Sequence, residues 1–250
     1  MGRKVHPVGF RLKITQPWQA RWFAEGAQYR EQLQQDLAIR SLLTGVTAKG
    51  GASSYRKVEE LRRGLSESVL TKRAGISRIE IERFPGKLKV TIHTAKPGVL
   101  IGRKGESVKK VRSSIEALVG KKVDLDVKEI QSPDTDAYLI AVNIADQLVR
   151  RISYRRAMMR AIQNAMRQGA EGVKIEVSGR LSGAEMARRV WFRDGRVPLQ
   201  TLRANIDFAT EKAVTAYGST GIKVWVYKGE VGFPEAEEQA EATEGVYVSK

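Results

Sequence analysis

Hydrophobic spacing in the first half of the chain switches between period two and the helical period. Alternation of apolar and polar side chains, which is typical of half-buried strands, predicts strands at 79–83, 87–94 and 122–130. Helical spacing predicts one helix over 26–43 and a second between Gly105 and Gly120. The apolar stripe expected on the first helix consists of Tyr29, Leu33, Leu37 and Ile39. This half therefore predicts helices packed on a small three-stranded sheet.

The second half places its helices first and its strands afterwards. Two helices are predicted at 134–151 and 154–168. Four strands are predicted to follow, at 173–179, 189–197, 203–209 and 222–231. This order predicts a second α/β unit with two helices and a four-stranded sheet, so the fold class is α+β.

Charge is partitioned along the chain, which refines this division. The stretch 129–146 has acids and no Lys or Arg, whereas 147–170 has arginines and no acid, so we place a domain boundary near 131. The expected domains are therefore 1–130 and 131–230. Residues 231–250 carry a net charge of −4 against +20 for the rest, which predicts a disordered acidic tail. That tail is either a solvated end or a segment that shields the positive charge of residues 1–230 before their partner binds.

The composition excludes several function classes. A net charge of +16 favours an anionic partner, nucleic acid before membrane. The chain has no cysteine and only two histidines, His6 and His93, so we expect no metal site and no cofactor. No catalytic constellation is present, and we expect neither a catalytic residue nor a small-molecule substrate. No signal peptide or membrane-spanning segment is visible, and we expect no membrane partner.

A short glycine loop is the first candidate for nucleic-acid binding. Gly102, Arg103, Lys104 and Gly105 lie between an apolar segment and an amphipathic helix. Two glycines allow the backbone to approach a polyanion, and the two cations are phosphate partners. With two strands before it and a helix after it, the loop matches the KH pattern. It lacks the spacing and the hydroxyl of a nucleotide-binding P-loop, which disfavours an ATPase or GTPase.

A helix rich in arginine is the second candidate. On the helix predicted at 154–168, Arg155, Arg156, Arg160 and Arg167 fall on one side, opposite Met158 and other apolar residues. Forked guanidinium groups suit phosphate. The alternative is a solvated helix face without a ligand.

Long stretches of the sequence resemble one family of known proteins. MGRKVHPVGFRL, VTIHTAKPGVLIGRKGESV and the segment from Tyr154 to Glu230 resemble the universal KH-domain family of the small ribosomal subunit, bacterial ribosomal protein three. The resemblance implies a type II KH domain and a structural, ribosome-bound, cytoplasmic role in the small-subunit head. It implies contacts with small-subunit rRNA and neighbouring ribosomal proteins, and a place at the mRNA entrance, where basic residues grip and help unwind mRNA.

The resemblance also assigns residues. Arg155 and Arg156 match entrance arginines of the family, Met159 stands where a lysine is common, and Arg160 is basic in the family too. Further RNA-contact candidates are Arg3, Lys4, Arg11, Lys109, Arg150, Arg151 and Arg167.

The family pattern is shorter at about 44–74, where this chain carries a net charge of +4. The stretch is either a basic insertion with an RNA or protein contact or a surface excursion without a partner. Two rival functions remain from the sequence: a lyase that nicks damaged DNA through a lysine, and a free KH regulator of mRNA.

Overall fold

The computed structural model describes residues 4–44, 58, 60, 61 and 74–231. The described residues form two compact units, one within 19–133 and one from 4–18 together with 134–231. The helices are α1 (Pro7–Phe10), α2 (Gly26–Thr44), α3 (Pro97–Ile101), α4 (Glu106–Val119), α5 (Ala137–Val149) and α6 (Tyr154–Arg167). The strands are β1 (Ala20–Arg21), β2 (Ile76–Phe84), β3 (Lys87–Thr94), β4 (Lys122–Glu129), β5 (Gly172–Gly179), β6 (Arg188–Gly195), β7 (Ala204–Thr215) and β8 (Gly218–Glu230).

The sheet of the 19–133 unit has the order β1-β2-β3-β4. The hairpin β2–β3 is antiparallel, and β3 and β4 are parallel. The three long strands were predicted, but β1 is a fourth strand that the sequence did not predict. It pairs in parallel with β2, where Ile81 N–H donates to Gln19 O at 3.0 Å. Two residues are too few for alternation to be recognised.

The core of this unit lies between the sheet and helices α2 and α4. Buried side chains from the sheet include Ile81 and Ile92, and they pack with Ile39 of α2 and Ile115 of α4. The stripe predicted for α2 is wrong except at Ile39. Its other three members are exposed, whereas Ala38, Leu42 and Leu43 are buried. One side of the C-terminal half of the helix is therefore buried, and Leu37 lies on the other side.

A buried ion pair joins α2 to β2. Arg83 donates to Asp36 Oδ1 from both Nε, at 3.2 Å, and Nη2. The other carboxylate oxygen of Asp36 accepts a hydrogen bond from Trp22 Nε1 at 2.7 Å. Both charges are almost fully enclosed, so each depends on the other.

In the second unit, the antiparallel sheet has the order β6-β5-β8-β7, as expected for four strands. Helices α5 and α6 pack on one face of it. The core contains Ile144 of α5, Met158 and Ile162 of α6, and Val173 and Val224 of the sheet. This confirms the prediction of an α+β chain whose second part places two helices on four strands.

The first residues of the chain belong to this second unit and not to the first. The described residues 4–18 pack with 134–231, which corrects the grouping 1–130; the division falls between Pro133 and Asp134. Arg11 is 0% exposed. Its guanidinium donates to backbone carbonyls of Pro7, Pro198, Leu199, Thr201 and Ala204.

Several predictions fall on residues outside those described. These are the contact at Arg3, nearly all of the stretch 44–74, and the tail 231–250 except Val231. Within the described ranges, no helix combines the length and the apolar character that crossing a bilayer requires.

Candidate nucleic-acid interface

The glycine loop has a backbone that depends on its first glycine. Helix α3 ends at Gly102, whose φ of 71° and ψ of −178° lie in a region that is essentially restricted to glycine. A Cβ at this position would lie 2.3 Å from Ser107 Oγ. The close approach of Gly102 to the start of α4 therefore fixes the shape of the loop.

The rest of the loop presents cations and helix amides together. Lys104 has a φ of 52°, and Gly105, with a φ of 73°, precedes the first residue of α4. Arg103 and Lys104 are exposed. The positive N-terminal end of α4 faces the loop, although the amide of its first residue, Glu106, donates to Arg103 O. This arrangement can bind a phosphate from the backbone and from two side chains.

The acid that follows the loop is held by a cation of its own helix. Glu106 pairs with Lys110 at 2.6 Å, one turn further along α4. The hydrogen bond and the charge of Lys110 lower the pKa of Glu106. Lys109 is exposed on the same helix, and its role as an RNA contact stays a prediction. The negative charge beside the loop is thus partly offset by Lys110.

A tight turn between α5 and α6 carries the next two candidates. Asp136 caps the start of α5 by accepting from the N–H groups of Tyr138 and Leu139. The helix ends at Arg150, and Arg151 adopts a left-handed φ of 61°. Both arginines are exposed. The turn therefore brings two guanidinium groups to the N-terminal end of α6.

Helix α6 separates a packed face from a cationic face, as the sequence predicted. Ala157, Met158, Ile162 and Ala165 are buried. The exposed face carries Arg155, Arg156, Arg160 and Arg167. We call these four residues, with Arg150 and Arg151, the arginine surface.

The arginine surface is available for a ligand. Among the described residues, none of its six arginines forms an ion pair with a carboxylate. Arg155 instead donates from Nε to Tyr154 Oη at 3.2 Å and lies over the ring of that tyrosine. Met159 is 45% exposed beside Arg155 and Arg160, so an apolar side chain is open to solvent within the arginine surface.

The candidates belong to different units. The glycine loop belongs to the 19–133 unit, and the arginine surface belongs to the other unit. Lys4 is exposed. Arg11 is not an RNA contact, because its guanidinium is enclosed and its donors are engaged by carbonyl oxygens.

The sequence did not reveal one further basic surface, on the face of the second sheet away from α5 and α6. Lys174 Nζ lies 5.2 Å from the ring centroid of Trp191 and 5.3 Å from that of Trp225. Burial lowers the pKa of Lys174, and the charge of Lys4 lowers it further. Alternation predicted these strands, but only the pairing of β5 with β6 and β8 brings the three side chains together.

Comparison with known proteins decides the family. A family model described as a KH domain matches residues 60–135, and one described as the C-terminal domain of ribosomal protein S3 matches residues 144–226. The small ribosomal subunit protein uS3 of Hydrogenovibrio crunogenus is 48% identical over 230 residues, covering 92% of this chain and 90% of that protein. The chain belongs to the uS3 family. The uS3 protein of Pseudoalteromonas translucida is 47% identical over 241 residues, covering 96% of this chain and 93% of that protein.

Membership confirms the resemblance found in the sequence. The relatives are named as proteins of the small ribosomal subunit, which describes a structural component and not an enzyme, so the comparisons give the lyase hypothesis no support. The glycine loop at 102–105 lies inside the matched KH domain. The arginines from 150 to 167 lie inside the matched C-terminal domain.

Proposed function

We propose that this protein is a structural component of the small-subunit head. Its KH loop holds small-subunit rRNA, and its arginine surface lines the mRNA entrance, where it grips incoming mRNA and helps to unwind it. It contacts neighbouring ribosomal proteins of the head, and it is bound to the ribosome in the cytoplasm. The observation that carries the entrance role is the arginine surface itself, exposed and without carboxylate partners in the described residues.

The position of these arginines supports a role in holding a moving strand. Arg155, Arg156 and Arg160 project from a helix whose opposite face is buried, so their backbones are fixed. Guanidinium groups bind phosphates without regard to base sequence. A fixed array of such groups stabilises a single strand after it separates from its complement, while the sequence of the mRNA is free to vary.

The experiment compares translation of two messages by ribosomes that carry Arg155→Ala with Arg156→Ala. One message contains a stable hairpin downstream, and the other has the same codons without the hairpin. We expect the double variant to slow the hairpin message more than the unstructured message. Equal slowing of both would overturn the unwinding role.

A matched control removes two arginines elsewhere in the same unit. Arg188 and Arg196 are exposed and lie outside the arginine surface. The variant Arg188→Ala with Arg196→Ala has the same change in net charge. We expect ribosomes with this control variant to translate the hairpin message at the wild-type rate. If they are slowed as much as ribosomes with Arg155→Ala and Arg156→Ala, the effect is a general one of charge.

A further inference from the structure

The open face of the sheet in the second unit carries a row of aromatic and cationic side chains. Cross-strand pairing places Lys174 of β5 opposite Trp225 of β8, and Trp225 opposite Phe208 of β7. The rings of Phe208 and Trp225 are 5.2 Å apart. Trp191 of β6 continues the row through its contact with Lys174. The face therefore offers flat apolar surfaces with positive charge between them.

The N-terminal segment converts one end of this row into a cavity. The ring of His6 meets Phe208 edge to face at 4.9 Å. Together they border a cavity of about 610 Å³, a size within the range of roughly 300–1,000 Å³ that small-ligand sites occupy. We call it the aromatic pocket. Its walls include Lys4, His6, Phe10, Phe208, Lys223 and Trp225.

The walls combine ring surfaces with a positive rim, and Glu176, which lies opposite Lys223 across the strands, is itself paired with Arg189. Trp225 is only 4% exposed and forms part of the packed wall, whereas Phe10 is 42% exposed. Lys4 and Lys223 are exposed, and the described residues that line the pocket include no Asp or Glu. A ligand that suits this site has a flat ring to place between aromatic walls and a negative charge to leave at the rim.

We propose that the aromatic pocket binds an unpaired base of the small-subunit rRNA, with the adjoining phosphates held by Lys4 and Lys223. A base stacked on an aromatic ring and a backbone held by lysines is the usual way in which proteins bind single-stranded nucleic acid. An acidic peptide would satisfy the rim but has no flat ring for the walls. The chemistry of the walls therefore favours a nucleotide.

The construction of the pocket favours rRNA over mRNA as the source of the base. Arg11 ties the N-terminal wall to the carbonyl oxygens of Leu199 and Ala204 at 3.0 and 2.7 Å, next to the pocket. The walls are thus fixed before the ligand arrives. A pocket that encloses a base would hold back mRNA, which must advance during translation. It suits rRNA, which stays in place. The proposal rests on RNA as the partner of this protein, and it uses no residue of the arginine surface.

Photocrosslinking in assembled small subunits tests the site and the source. One sample contains rRNA substituted with 4-thiouridine, and a second contains unsubstituted rRNA and mRNA that carries 4-thiouridine. After irradiation, adducts are located by mass spectrometry of peptides. We expect the first sample to give adducts within 4–10 or 208–225, and the second to give none there. Adducts from the mRNA sample alone, or in neither sample, would overturn the proposal.

Binding to the full chain in solution provides a second measurement that does not depend on assembly. The probe is fluorescein-labelled octauridylate, and affinity is measured by anisotropy. We expect Phe10→Ala to weaken binding by about fivefold or more, the effect of losing one base–aromatic stack. The control Phe84→Ala removes an aromatic ring that is likewise exposed, in the other unit, and we expect wild-type affinity. Equal affinity for the two variants would overturn stacking in the pocket.

The rim is tested by a pair of lysines on the same face of the sheet. Lys223 lines the pocket, whereas Lys212 is exposed on β7 outside it. We expect Lys223→Gln to reduce the slope of log affinity against log salt by about 0.7, the value for one phosphate of a single strand. Lys212→Gln should leave the slope unchanged. Equal reductions of the slope by the two lysine variants would show diffuse electrostatic attraction and overturn the phosphate contact. If Phe10→Ala leaves RNA binding unchanged but loses a contact with another ribosomal protein, the pocket binds a protein and not RNA.

Discussion

The Nε–H of Arg11 donates to the carbonyl oxygen of Ala204 at 2.7 Å, across 193 positions of sequence. The same guanidinium reaches the carbonyls of Pro198, Leu199 and Thr201. A buried cation is costly unless its donors are satisfied, and here backbone carbonyls satisfy them. Arg11 therefore connects the N-terminal segment to the sheet.

We predict that Arg11→Met destabilises the 134–231 unit by about 3 kcal/mol or more. Methionine has a similar length but donates nothing, and several enclosed carbonyls lose their partner. Denaturant unfolding of the full chain measures the loss. The control is Arg203→Met, which removes an exposed arginine paired with Glu230 at 2.8 Å and should cost about 1 kcal/mol or less. Equal losses would show that the Arg11 contacts are not stabilising.

We predict that Arg83→Met destabilises the 19–133 unit by about 3–5 kcal/mol. The change leaves the enclosed carboxylate of Asp36 without its cation, which is the costly way to break a buried ion pair. Hydrogen exchange of β2 amides measures the loss. Adding Asp36→Leu should restore part of it, because the uncompensated charge is then removed.

The control for this pair is an exposed one in the same unit. Arg21 and Glu82 lie 3.6 Å apart at the surface, and Arg21→Met should cost about 1 kcal/mol or less. The ion pair does not stabilise this unit if Arg83→Met lowers the free energy of unfolding no more than Arg21→Met does. The same conclusion follows if the losses from Arg83→Met and Asp36→Leu add in full in the double variant.

We predict that Gly105→Asp weakens binding to rRNA by about tenfold relative to Gly105→Asn. A Cβ at Gly105 meets no atom within 4 Å, and its φ of 73° is one that both Asn and Asp tolerate. The two side chains differ mainly in charge, so the difference reports repulsion of phosphate; tenfold corresponds to ~1.4 kcal/mol. Filter binding to an rRNA fragment measures it. Equal affinity for both variants would remove the loop from the RNA contact.

We predict that Met159→Lys strengthens binding of single-stranded RNA and steepens its salt dependence by about 0.7 in log–log slope, the effect of one added phosphate contact. The new cation would join Arg155 and Arg160 on the exposed face of α6. Met186→Lys is the control, since Met186 is 79% exposed outside the arginine surface. Equal gains from both substitutions would contradict a specific role for position 159.

Local patterns predicted the elements of this fold where each element is long and half buried. Alternation identified β3 and β5, and helical spacing identified α6 with its buried Met158 and its exposed Arg155. The two-residue strand β1 was missed because it is defined by its neighbour and not by its own sequence.

Side chains with distant partners could not be assigned from the sequence. Arg11 has the same local surroundings as an exposed cation, and only contacts nearly two hundred positions away make it a structural residue. The stripe on α2 failed because Tyr29 and Leu33 precede the part of the helix that the core covers. The aromatic pocket likewise depends on strand pairing, which brings Phe208 beside Trp225.

The discontinuous second unit has a consequence for how the protein is made. Its first segment leaves the translating ribosome before the whole of the intervening 19–133 unit, and at about 5–20 residues per second the partner of Arg11 follows about 10–40 s later. A nascent chain that stops short of Ala204 cannot bury this guanidinium against that carbonyl. Packing of the N-terminal segment against β7 thus distinguishes a polypeptide that has been made beyond Ala204 from one that was interrupted before it.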